Sequence, residues 1–298
     1  MLIQLVPMIL VGCIGYGLKR AGVLGPGDAK TIGRLLTHLA LPAVILRALA
    51  TAAIAPDLVY LPLSALLVVL GLTTIAGLRL RWLGWNRARA GALITTFPTF
   101  EGGALGYPIM LLAFGEVGLS RIVLFDLAQA IYLLTVVYCL SAWFGQAGVT
   151  ARAVGTKLAR TPFFWAILLG LLLNVLGATD ALLLGLLDIV SNGFLLLVLL
   201  LVGMEFELQL GEGWRYLLLA LAKVGAGLGL GWVATMVFGL DGVERAAVLV
   251  GSGLPPSLLT LIFVQENQLD TRFASSFISV AIPLYLVMIT ALLALPLG

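Results

Sequence analysis

Apolar runs of about helix-spanning length, separated by short polar breaks, repeat along the whole chain. A membrane-crossing helix needs about 20 mostly apolar residues. The runs predict ten such helices, at 2–18, 32–53, 57–78, 90–113, 120–144, 162–178, 181–204, 214–239, 244–265 and 271–296. The connecting stretches are short and leave no room for a soluble domain. The predicted class is therefore all-α integral membrane.

Composition agrees with the pattern. Of 298 residues, 61% are hydrophobic and 10% charged, and the mean hydropathy is +1.14. A soluble domain carries roughly 25% charged residues, so this chain has too little charge to cover a water-facing surface. The net charge of +3 reads as membrane orientation and not as nucleic-acid binding, because the basic residues gather in short loops between apolar runs. Lys19, Arg20, Lys30 and Arg34 follow the first predicted helix; Arg79, Arg81, Arg87 and Arg89 the third; Arg152, Lys157 and Arg160 the fifth. The even-numbered loops of the first half carry Asp57, Glu116 and Arg121. The positive-inside rule then makes the odd loops cytoplasmic and both termini extracytoplasmic, in a plasma or inner membrane. The loop after the seventh helix, with Glu207 and Glu212 against Arg215, does not reinforce this. The first apolar run precedes its charges, Lys19-Arg20, opposite to the order in a signal peptide.

Cys13 and Cys139 fall inside apolar runs and read as lipid-shielded thiols without a disulfide or metal role. With one histidine, His38, a zinc site built from several His and Cys ligands is excluded. His38 reads as structural.

A faint internal repeat organises the rest. The fourth predicted helix opens Arg89-Ala90-Gly91-Ala92-Leu93 and the ninth opens Arg245-Ala246-Ala247-Val248-Leu249. Each reaches a Gly/Pro-rich centre, FPTFEGGALGYP from Phe97 to Pro108 and GSGLPPS from Gly251 to Ser257. These are the fourth helices of two five-helix halves, 1–148 and 149–298. An odd number of helices per half gives inverted repeats, and paired broken helices in such repeats mark a midplane binding site. Proline removes a helical hydrogen bond and clashes with the preceding turn. The freed backbone groups cannot face lipid, so they must face protein or an aqueous cavity. Glu101, Gly102, Gly103, Pro108, Pro255, Pro256 and Ser257 are the predicted substrate site, with Asn192 from the seventh helix as a further lining residue. Two kinks that serve only packing are the alternative.

Glu101 is the sharpest single position. A charge at the bilayer centre costs about 2.5–3.5 kcal/mol on insertion scales, so it should face the bundle interior. It could carry a proton, hold Na⁺, bind a cationic group of the substrate, or serve as a neutral structural carboxyl. Asp126 and Gln129, three apart and on similar helix faces, are candidate ion-coupling partners; Asp126 could instead pair with Arg121 at the interface. Ser191 and Asn192 could line the cavity or bond neighbouring helices. Lys223 is expected to snorkel to the cytoplasmic interface, with pairing to an acid as the alternative.

These residues resemble the auxin efflux carrier family. GYGLKRAGVLGPGDAKTIGRLLTHLALPAVIL, from Gly15 to Leu46, is similar to the family's opening. Gly103, Gly106, Tyr107 and Pro108 match its fourth-helix motif, followed by Phe114-Gly115 and Leu124-Phe125-Asp126. Pro255-Pro256 stands where the family has its crossover proline. The resemblance implies ten helices divided into scaffold and transport parts, at that level similar to bile acid:sodium symporters. It implies a site where the fourth and ninth helices cross, an elevator-like alternating access, and small organic acids such as malate or malonate as substrates. One position departs: the family's fourth-helix Asn is Glu101 here. An ionised carboxylate would repel a carboxylate substrate. Either Glu101 is protonated when the anion binds, or a cation accompanies it, or the substrate is not a simple anion.

The expectation is a secondary transporter of a small organic anion, proton-coupled or uniport. The alternatives are a sodium-coupled symporter and a carrier of a cationic or neutral solute held by Glu101; a passive channel is a further alternative. An enzyme is not expected: HExxH is absent, and Gly251-Ser252-Gly253 lacks the flanks of a nucleophile motif. No GxxxxGK[ST] is present, so ion gradients should supply the energy. No cofactor beyond H⁺ or Na⁺ is expected. Expected partners are the solute, the bilayer and, as an open question, a second copy forming a homodimer.

Overall fold

The computed structural model describes residues 2–53, 55–145, 152, 155–156, 159–205 and 213–294. Lys157, Glu207, Glu212 and the boundary between the two predicted halves lie outside the described residues. Among the described residues the only regular secondary structure is helix. The principal helices are α1 (Leu2–Arg20), α2 (Pro26–Leu35), α3 (Leu41–Ala50), α4 (Tyr60–Leu83), α5 (Arg87–Thr96), α6 (Tyr107–Tyr132) and α7 (Tyr138–Phe144). The second half continues with α8 (Pro162–Leu176), α9 (Ala181–Asn192), α10 (Phe194–Glu205), α11 (Gly213–Phe238), α12 (Gly242–Gly253), α13 (Leu259–Glu266) and α14 (Thr271–Ala294).

Six described stretches are long and apolar enough to cross a bilayer, among them Gly27–Ala50, Pro56–Leu80, Gly213–Phe238 and Thr271–Ile289. The outward-facing side chains are those lipid would demand: Leu172, Val175, Leu182, Ile189, Met236 and Val287 are all exposed. Two helix starts, one in each half of the chain, are capped by short polar side chains. Asn86 Oδ1 accepts from Arg89 N (2.9 Å) at the start of α5, and Asp180 Oδ1 from Leu183 N (2.7 Å) at the start of α9.

Two expectations about element boundaries change. α2 and α3 are joined by a π turn at Leu36–Ala40, so the second span begins at Pro26 and not at 32. The predicted polar break between the fourth and fifth helices shrinks to a single residue. Gly102–Phe144 runs 43 residues, twice a span's length, and folds over at Gly115 (φ 63°, ψ −154°). That backbone conformation is essentially restricted to glycine, so one residue replaces a loop.

The closest packing falls in two groups of helices, which also touch one another where α1 and α3 meet α6. α1 packs on α10, and α3 on α8 and α9. Asn174 of α8 fastens the end of α3, with Nδ2 at 2.9, 3.1 and 2.7 Å from the carbonyls of Leu49, Ala50 and Ala52. In the second group α4 packs on α6 and α11, α11 on α12 and α14, and α5 on α7, α13 and α14. Arg121 of α6 pairs with Glu244 of α12 at 2.8 Å, and Asn267, just past α13, donates to Ser141 of α7 at 2.9 Å.

Candidate functional site

α5 ends at Thr96 and regular helix resumes only at the π turn Gly102–Gly106. α12 ends at Gly253 and α13 begins at Leu259. The two non-helical stretches lie against one another, and their released backbone groups pair across the gap. Glu101 N donates to the Pro255 carbonyl (2.9 Å), Ser257 N to Thr99 Oγ1 (3.1 Å), and Leu258 N to Glu101 Oε2 (2.7 Å). Glu101 Oε1 accepts from Ala104 N (3.2 Å). The Glu101 carboxylate thus caps two helix starts at once, its own and that of the facing segment. Helix N-termini carry partial positive charge and favour an acceptor; here the Glu101 carboxyl takes that place at both.

Neighbouring polar groups pair with these stretches and with one another. Gln129 Nε2 donates to the Phe100 carbonyl (2.9 Å) and to Asp126 Oδ1 (3.2 Å). Both partners are acceptors, which fixes the amide's orientation and leaves Gln129 Oε1 buried without a hydrogen-bond partner. Tyr107 Oη donates to Asp126 Oδ2 (2.8 Å). The bend at Gly115 makes this pairing, because it folds the second half of α6 back beside the first. Gly102 completes the cluster: a Cβ there would lie 2.6 Å from the Asp126 carboxyl carbon.

A cavity of about 320 Å³ opens on this crossing, lined by Glu101, Gly102, Gly103, Tyr107, Asp126, Gln129 and Ser257, with Thr37, Leu41 and Phe163 from the other helix group. Pro255 and Pro256 are buried in the crossing itself, and Pro108 is buried at the start of α6. Asn192 lies elsewhere. With Ser191 it lines a second cavity of about 410 Å³ around Arg47, Glu116 and Asp188. Arg47 pairs there with Glu116 (2.7 Å) and with Asp188.

Two expectations are corrected. Asp126 is not an interfacial partner of Arg121: it is buried at 9% exposure, and Arg121 is taken by Glu244. Lys223 does not snorkel. It is fully buried, donates to the Leu254 carbonyl (2.7 Å) and stands 4.7 Å from the Phe100 ring centroid. Tyr107 is a site residue the sequence reading passed over, although Asp126 and Gln129 at helical spacing already marked the face it meets.

The comparisons with known proteins decide the family. The family described as "Membrane transport protein" matches residues 1–296. The chain belongs to this family, that of the auxin efflux carriers. An uncharacterized transporter of Methanothermobacter thermautotrophicus is 26% identical over 286 residues, covering 94% of this chain and 93% of the relative. A second uncharacterized transporter, from Methanocaldococcus jannaschii, is 22% identical over 286 residues, covering 93% and 92%. As a member of the family the chain is a multi-pass membrane transporter and not an enzyme. Its cavity is accordingly a candidate solute site.

Proposed function

We propose that the chain is a secondary transporter working by alternating access, with its solute site at the crossing of residues 97–101 and 254–258. The observation that carries this reading is the Glu101 carboxylate, which projects from one chain break and is bonded to the backbone of the other. Segments joined in this way can move as a unit while the site keeps its shape. The reading takes ten spans in two inverted halves, with α5 and α12 leading into the paired breaks. The group containing α3, α8 and α9 is the scaffold, and the group containing α4, α6, α11 and α12 is the moving part. Thr37, Leu41 and Phe163 lie near the ends that carry Lys30, Arg34 and Arg160, the loops assigned to the cytoplasm. In this reading the cavity therefore opens inward, and the Arg47–Glu116 pair bridges the two groups on the outer side.

The solute must suit an acidic lining. Glu101 and Asp126 face the cavity, none of its lining residues is Lys, Arg or His, and Gln129 Oε1 is an acceptor awaiting a donor. A bare carboxylate would meet two carboxyls and helix N-termini already occupied by Glu101. The best-supported reading is a small organic acid that enters together with a proton or Na⁺ at the Glu101–Asp126 pair. The absence of a basic lining residue favours a second reading, a solute that is itself cationic. Proteoliposome uptake of labelled malonate and of a labelled amine, under imposed pH or sodium gradients, separates them. Malonate uptake that needs a cation gradient supports the first reading. Saturable amine uptake with no malonate uptake supports the second. No saturable uptake of either by folded protein contradicts both.

A further inference from the structure

Lys223 is absorbed by none of the roles above. It lies on α11 one turn before Gly227 and two before Gly231, the face that presses on Ser252 near the end of α12. This stripe carries the side chain directly to the chain break. The ammonium meets the Leu254 carbonyl at 2.7 Å on one side and the Phe100 ring at 4.7 Å on the other. Leu254 begins the break after α12, and Phe100 immediately precedes Glu101. One cation therefore contacts both non-helical stretches.

Among the described residues its partners are one backbone carbonyl and one ring face, with no salt bridge. Lys223 has 0% exposure, and among the described residues no carboxylate lies within 4.0 Å of its Nζ. Burying an ion without compensation costs several kcal/mol. The compensation available here is a carbonyl at the negative end of α12 and the face of an aromatic ring. Backbone carbonyls released by a break are also the ligands an alkali ion would take.

We propose that the Lys223 ammonium is a resident cation of the crossing. It fills a place that a free monovalent cation would otherwise occupy, and it holds the Leu254 and Phe100 segments in register so that Glu101 reaches Leu258 N. Lys223 is thus a positioning residue for Glu101. The proposal rests on the crossing being the transport site, but its physical content can be tested without a known solute.

The experiment compares thermal unfolding of purified wild type, Lys223→Ala and Lys223→Arg in choline, sodium and methylammonium chloride at matched ionic strength. Cation effects common to all three proteins belong to the Glu101–Asp126 cavity and are subtracted as such. The expected result is a lowered melting temperature for Lys223→Ala in choline, of which methylammonium restores at least half beyond any effect on wild type. Sodium should restore a smaller part, and Lys223→Arg should show no such gain. A Lys223→Ala protein as stable as wild type, or one that neither cation restores, overturns the proposal. If Lys223→Ala yields no folded protein in choline, recovery on purification in methylammonium supports it and recovery in neither salt overturns it. A failure here leaves solute uptake at Glu101 untouched, whereas absence of any uptake would leave the melting differences in place.

Discussion

Gly102→Ala is the most demanding test of the local geometry. A Cβ built at Gly102 falls 2.6 Å from Cγ and Oδ2 of Asp126 and 2.7 Å from Oδ1. Non-bonded carbon contacts settle near about 3.5 Å, so the carboxyl must retreat by roughly 1 Å. It has nowhere to go without leaving its partners, Tyr107 Oη at 2.8 Å and Gln129 Nε2 at 3.2 Å. Hydrogen bonds to a carboxyl contribute about 0.5–3 kcal/mol each, the upper end when it is ionised, and overpacking costs about 1–3 kcal/mol. Since the carboxyl can keep part of each bond, a net loss of about 2–4 kcal/mol is expected. The assay is a double-mutant cycle on unfolding free energy with Asp126→Ala. That variant alone leaves the Tyr107 hydroxyl unpaired, at about 1–3 kcal/mol. In the double variant the new methyl meets no carboxyl, so the two costs should fall short of additive by more than about 1 kcal/mol. A Gly102→Ala protein within about 0.5 kcal/mol of wild type, or strict additivity, would refute the packing of Asp126 on Gly102.

Three further outcomes rest on the same local geometry. Gly115→Ala, at φ 63° and ψ −154°, should cost about 1–3 kcal/mol through backbone strain alone, measured by unfolding, and an unaffected protein would contradict the sharp bend. Glu101→Gln keeps one acceptor oxygen and turns the other position into a donor facing a donor, either Leu258 N or Ala104 N. It should lose about 1–3 kcal/mol of stability yet remain folded, and Glu101→Ala should lose more. Arg47→Ala or Glu116→Gln removes a half-exposed pair, and such pairs contribute about 0–1 kcal/mol to stability. Because this pair joins α3 to α6, under the proposed alternating access its loss should change the balance of inward- and outward-open forms up to roughly fivefold, read by labelling of a single cysteine introduced at the cavity residue Thr37 (Thr37→Cys) in a Cys13→Ser, Cys139→Ser background; an unchanged labelling ratio would sink the bridging role.

Much of this was legible in the sequence because a membrane simplifies the physics. Apolar runs must be helices, and a carboxylate such as Glu101 in the middle of one must face the interior. The Gly/Pro clusters at 97–108 and 251–257 fall on the two non-helical stretches that lie against one another. Spacing alone placed Asp126 and Gln129 on one face. What spacing could not supply was helix rotation and long-range partnering. Lys223 has a stem long enough to reach an interface, and only the packing of Gly227 and Gly231 on Ser252 turns it inward. Asn192 sits in an apolar run as Glu101 does, but its helix belongs to the other packing group and delivers it to the Arg47 cavity. Gly115 looked like part of an ordinary loop, because nothing local shows that one residue can reverse the chain.

The most direct test of the central claim is gradient-driven uptake of labelled malonate into proteoliposomes, comparing wild type with Glu101→Gln after both are shown to be folded. The account predicts saturable uptake by wild type under an inward proton or sodium gradient and its loss in Glu101→Gln. Equal gradient-driven uptake by the two proteins would contradict it, because the carboxylate at the crossing would then take no part in moving the solute.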